Sequence, residues 1–168
     1  HAKAGNLNFA PSSVYRVEVD ADGHNDRTNV SGTAALNGAV AVEAASGSYA
    51  PSTSYTILNA AGGVTGTFSG VTSDLAFLTP SLTYDANNVL LNLARNEVSF
   101  SSVALTPNQA AASAALESAG AGATGDMVTV QSALTGLSAE QARAAYDSVG
   151  GSGLVALRGA GAVFSAGF

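Results

Sequence analysis

The stretch that decides the fold reads VSGTAALNGAVAVEA (30–44), continues as YAPSTSYTILNAAGGVTGTFSGV (49–71) and closes with LAFLTPSLTYDANNVLLNL (75–93). Short alternating strands are separated in it by Gly, Ser and Asn. Leu36, Val40 and Val42 share a parity, and Gly38 between them marks a bend or a close backbone approach. Tyr55 and Ile57, then Val64 and Phe68, then Val89, Leu91 and Leu93 continue the series. Leu58 and Leu90 break the strict alternation, as expected where both faces of a strand are partly covered. Each strand is too short to make a stable sheet alone, so the pattern predicts strand stacked upon strand. Strand-plus-turn units of about 20–25 residues match the repeats of solenoids, where each coil buries its face only against its neighbours. Short strands at regular spacing also suit a β-sandwich, and periodicity alone does not separate the two.

Upstream, VYRVEVD (14–20) places Tyr15, Val17 and Val19 on one face and Arg16, Glu18 and Asp20 on the other. A polar turn, DADGHNDRTN (20–29), follows. Downstream, the composition changes near residue 104. Thr106-Pro-Asn-Gln109 predicts a helix start, with Thr as N-cap, Pro in the first turn and Gln three residues on, and Gly120 predicts its end. A second helix is expected from Asp126, with Met127, Val130, Leu134 and Leu137 as its apolar stripe. Ser138-Ala-Glu-Gln141 repeats the capping box and opens a third, whose stripe is Ala142, Ala145, Tyr146 and Val149. The helical stripes are expected to pack on the fold or on each other, since their polar faces lack the Lys and Arg of membrane-surface helices. The segment Ser152–Phe168 is Gly- and Ala-rich and is expected to be weakly structured unless it docks on something.

A chain of 168 residues can bury about 68–70% of its unfolded surface, so a real core is expected. Charged residues make up only 11%, against roughly 25% in ordinary soluble domains, so Ser, Thr and Asn must carry solubility. A net charge of −6 with six scattered basic residues argues against a nucleic-acid partner. Cysteine is absent, which excludes disulfides, thiol catalysis and thiolate metal sites. That fits a chain threaded unfolded through a narrow pore, and equally a cytosolic protein. No run of about 20 apolar residues spans a membrane, and no signal peptide is visible. His1 is an odd natural start, so the chain reads as an excised piece of a longer protein.

Few residues invite chemistry. His24, flanked by Asp22 and Asp26 in a polar turn, lacks the buried orienter that a catalytic triad uses. Asp20, Asp22 and Asp26 resemble an oxygen cluster for calcium, but their spacing misses the twelve-residue loop, and a solvated turn explains them as well. Asp74, Asp85 and Glu97 are isolated acids that nothing pairs across a cleft; strand-edge charges that deter aggregation are the plainer reading. The Gly-Ala-Gly and Gly-Gly strings lack a phosphate-loop Lys. Tyr49, Tyr55, Phe68, Phe77, Tyr84 and Phe100 read as core and cap packing rather than a ligand platform. No catalytic residue, cofactor or metal is expected.

Five phrases together carry a resemblance: YRVEVDADGHNDRTNVSGTAALNGAVAV, SYAPSTSYTILNAAGGVTGTFSGV, LTYDANNVLLNL, TPNQAAASAALESAG and LTGLSAEQARAAYDSVGG. In this order and spacing, over about residues 12–150, the chain resembles the C-terminal passenger region of classical (type V) autotransporters. The resemblance implies a mainly β fold: the end of a right-handed parallel β-helix with a C-terminal cap, followed by short α-helical linker segments. It divides the chain into a β-helix and autochaperone cap region (1–103), an alanine-rich helical linker (104–150) and a tail (151–168) leading toward a barrel absent here. The implied function is a non-catalytic autochaperone and stalk at the bacterial cell surface. The implied partners are the upstream passenger coils and the translocator barrel of the same parent chain. A host surface ligand is a further candidate, and direct membrane insertion of this piece is not expected. A solenoid cannot start from an interior coil cheaply, since ordering costs about 1–2 kcal/mol per residue of backbone entropy. Large apolar side chains, each contributing roughly 1.5–3 kcal/mol when fully buried, make this segment a plausible template. Tyr55, Ile57, Phe68, Phe77, Leu91 and Leu93 are expected to form that folding core. Two competing readings are a surface adhesin and a fragment of a β-helical polysaccharide-degrading enzyme; the second would need clustered Asp, Arg or Lys, which the sequence does not offer.

Overall fold

A computed structural model describes residues 1–151; of the tail expected at 151–168, all but Gly151 lies outside the described residues. The chain is strand-rich up to residue 95 and helical after it. Its strands are β1 (Ala2–Lys3), β2 (Leu7–Asn8), β3 (Val14–Val19), β4 (Thr28–Val30), β5 (Ala34–Leu36) and β6 (Ala39–Ala44). They continue with β7 (Ser52–Ala60), β8 (Val64–Gly66), β9 (Gly70–Ser73), β10 (Leu78–Tyr84) and β11 (Asn88–Arg95).

The first nine strands fall into three parallel ladders, β1-β4-β7, β2-β5-β8 and β3-β6-β9. The chain thus visits three sheets in a fixed order, then returns to the first. Ala2, Asn29 and Asn59 stand in register, as do Leu7, Ala34 and Val64, and Val14, Ala39 and Gly70. One such rung takes up about 25–31 residues, within the range of stacked repeats. This pairing differs from the antiparallel sheets of a sandwich.

Two local features shape the stack. At the corner between β5 and β6, Gly38 has φ +74°, and a Cβ there would sit 2.2 Å from the Ser13 carbonyl oxygen of the rung above, so only glycine fits. On β7, Val89 faces Leu58 and Leu90 faces Thr56, which leaves Ile57 as a bulge residue. The bulge explains the broken alternation: Ile57 and Leu58 are consecutive, yet both are fully buried.

The antiparallel hairpin β10–β11 ends the first ladder by pairing β11 with β7. Asp85 builds its turn, its Oδ1 accepting from the N–H groups of Asn87 (2.8 Å) and Asn88 (2.7 Å). The main core lies between the sheets and includes Val17, Val40, Tyr55, Ile57, Leu58, Val89, Leu91 and Leu93.

After a short 3-10 turn at Phe100–Val103 come α1 (Pro107–Gly120), α2 (Asp126–Thr135) and α3 (Ala139–Val149). Thr106 Oγ1 accepts from Gln109 N at 3.2 Å, and Ser138 and Gln141 form a full capping box, as their spacing predicts. On α2 the expected stripe is corrected: Val130 is exposed, and Leu134 and Thr135 are the buried residues. On α3, Ala142 and Tyr146 are buried but Val149 is exposed. The reason is shared: the helices pack on one another, on Phe100 of the 3-10 turn and on Ala76 and Phe77 ahead of β10, so only the turns nearest that seam are covered. A second core results, made of Phe77, Phe100, Ala112, Leu116, Leu134, Ala142 and Tyr146. It joins residues on both sides of the 103/104 boundary. Gly136 lets the α2–α3 corner approach, since a Cβ there would lie 2.5 Å from the Tyr49 ring.

Candidate functional site

The groups with chemical potential gather first in the loop between β3 and β4. Asp20 Oδ1 accepts from the N–H groups of Asp22 (3.0 Å) and His24 (2.8 Å), and its Oδ2 lies 2.9 Å from His24 Nδ1. Partial desolvation opposes ionisation of Asp20, but the hydrogen bonds from His24 and Asp22 outweigh it and hold its pKa below the ordinary value. Ligand atoms of Asp20, Asp22 and His24 lie within 4.8 Å of one another, the only such trio among the described residues. Calcium takes six to eight oxygens, and Asp20 already spends its oxygens on the turn itself. The His24 side chain is 80% exposed and the carboxylate it bonds, that of Asp20, is also accessible, so no buried group orients the ring for base catalysis. The arrangement is that of a solvated Asx turn.

Asp74, Asp85 and Glu97 are exposed and lie on separate segments. Asp85 organises the hairpin turn, and hydrogen bonds from Asn87 and Asn88 lower its pKa against a smaller desolvation.

The six expected core residues are all buried, but not in one place. Tyr55, Ile57, Phe68, Leu91 and Leu93 belong to the main core, whereas Phe77 faces the helices and meets Phe100 edge-on at 4.9 Å. Tyr55 also donates from its hydroxyl to Asp20 O at 2.6 Å, tying β7 to the loop that carries His24. Arg95, which sequence reasoning passed over, lies over Phe77 (5.4 Å) and Phe100 (5.1 Å) and donates to the carbonyls of Phe77 and Val98.

The two ends of the stack differ. At the far end the hairpin extends the first ladder and reaches the chain around β8, while β8 and β9 are the last strands of theirs: Ala60 N donates to Asn87 O (2.8 Å), Val64 N to Ala86 O (2.9 Å) and Phe68 N to the Tyr84 hydroxyl (3.1 Å). Its outer strand β10 carries Pro80, a residue that sheets tolerate at an edge and that cannot donate to another strand. At the near end β1, β2 and β3 are the outermost strands of their three ladders. Leu7, Phe9 and Tyr15 there are only partly buried against the core. Phe9, Tyr15 and Phe68 form an aromatic group, with Phe9 5.1 Å from Phe68 and 5.3 Å from Tyr15. Tyr15 donates to Ile57 O at 2.7 Å across the stack. Phe9 and Tyr15 thus pack inward on a ring of the last rung, and at this end each ladder finishes in an outermost strand whose far side pairs with no other named strand. The alternation of Leu7 and Phe9 was the sequence signal for this end, too short to stand out.

No protein-family model matches the chain, and no characterised protein matches it significantly.

Proposed function

We propose that the chain is the end piece of a right-handed parallel β-helix from an autotransporter passenger. In this reading it is a non-catalytic autochaperone and stalk at the bacterial surface, nucleating the fold of the coils upstream during secretion across the outer membrane. The observation that carries the reading is the stack itself: three parallel ladders that the chain visits in constant order, the first of them ended by an antiparallel hairpin, with β1, β2 and β3 outermost at the other end. Three ladders visited in constant order are what a β-helix requires, and parallel crossovers are right-handed in about 98% of cases. The resemblance of the five sequence phrases supplies the secretion context. Upstream coils would add to β1, β2 and β3, gaining backbone pairing without paying for nucleation afresh. The translocator barrel of the same parent chain would follow the helices.

The test is fusion of the chain behind a β-helical passenger stripped of its own last coils, reading surface display and protease resistance. Restoration by the intact chain, and its loss with Leu91→Ser or Phe68→Ser at equal expression, is expected. Equal restoration by the substituted chains counts against the reading.

A further inference from the structure

One residue pair is set up for covalent chemistry that needs no enzyme. Asn37 is the only asparagine in the chain followed by glycine. It is exposed at the β5–β6 corner, and the amide nitrogen of Gly38 lies 2.9 Å from Asn37 Oδ1. The nitrogen that would attack is therefore already beside the side-chain carbonyl. Every other asparagine precedes a residue whose Cβ crowds that nitrogen; Gly38 has none.

We propose that Asn37–Gly38 is a self-modification site, at which the Gly38 nitrogen closes on Asn37 Cγ and converts the residue to isoaspartate. The N–Cγ bond forms, the Cγ–Nδ2 bond breaks, and Nδ2 leaves as ammonia with the proton given up by the Gly38 amide. Water, the only co-reactant, then opens the five-membered imide. Opening at the main-chain carbonyl leaves isoaspartate, with an extra methylene in the backbone; opening at Cγ leaves aspartate.

The lengthened backbone falls where the stack has little room. Gly38 O accepts from Ser69 N (2.6 Å) and Ser69 Oγ (2.7 Å), while Ala39 N donates to Ser13 O (2.9 Å). The following strand β6 is in register with β3 on one side and β9 on the other. An added methylene at position 37 shifts either buried Leu36 or paired Ala39, so the modification loosens the middle rung.

The test incubates the full chain in warm, mildly alkaline buffer and follows each asparagine by peptide mapping and mass spectrometry. A gain of about one mass unit as amide becomes acid is expected at Asn37 ahead of every other asparagine, mostly as isoaspartate. The thermal midpoint should fall as the converted fraction grows. Asn37→Gln, whose longer side chain closes a ring far more slowly, should hold its midpoint under the same treatment. Conversion at Asn37 no faster than elsewhere overturns the proposal. A midpoint that falls equally in Asn37→Gln overturns the link to the rung. Should that variant fold poorly, the mapping of the unaltered chain still decides the first point.

Discussion

Arg95 concentrates more of the fold than any other single charge. Its guanidinium lies against two aromatic rings and donates to the Phe77 and Val98 carbonyls, bridging the end of β11 to the helical core. Hydrogen bonds from a charged donor contribute about 1.5–3 kcal/mol, so Arg95→Ala should cost about 2–3 kcal/mol by urea unfolding. Arg95→Lys should recover little of it, because a point charge cannot reproduce the planar fork. Tyrosine burial gives a pH signature. Tyr49 and Tyr146 are each pushed up to about 12, chiefly by burial and further by nearby negative groups. A raised folded-state pKa means stability that is whole below the ordinary tyrosine value of about 10 and is lost as pH climbs from there toward 12. Thermal midpoints across that interval should fall, and Tyr146→Phe should flatten part of the slope. Asp85 acts oppositely: its lowered pKa supports the hairpin turn above the usual carboxylate range and releases it as pH falls through the lowered value. At this scale the sequence was readable for Tyr55, Ile57, Leu91 and Leu93, whose parity marks an inward face. Arg95 was not readable, because its two rings are set by contacts that no local pattern announces.

The elements were legible in proportion to their length and punctuation. Thr106 and Ser138 announce α1 and α3 through capping chemistry that acts within three residues. Ser138→Ala should cost about 1 kcal/mol, visible as a lower thermal midpoint, because it frees the Gln141 N–H from its partner. The α2 stripe misled because periodicity ranks Val130 with Leu134, while the neighbouring elements cover only the latter. Strands β1 and β2, two residues each, carry no period to read and exist through pairing with β4 and β5. The hairpin shows how one ladder is ended. Leu91 is wholly buried in β11 between β7 and β10, so Leu91→Ala should cost about 2–5 kcal/mol in denaturant unfolding.

For the whole molecule, the two cores predict how it comes apart. Phe77 lies before the helical region yet is buried by it, along with Phe100. A chain truncated after residue 103 should expose both rings, bind a hydrophobic dye and melt less cooperatively; a truncated chain as stable as the parent would mean that the seam contributes nothing. The stacking of strands could be anticipated from short alternating runs, but the joining of helices to sheet could not, since it depends on residues far apart in the chain. Distance along the chain also sets the order of folding. In the parallel ladders every partner waits two dozen residues or more away, whereas β10 and β11 meet across a tight turn. Closing a short loop sacrifices less entropy, so the hairpin should form early, with β7 next and earlier strands following backwards toward His1. Substitutions in the hairpin should then slow folding, while those between β3 and β6 should chiefly hasten unfolding.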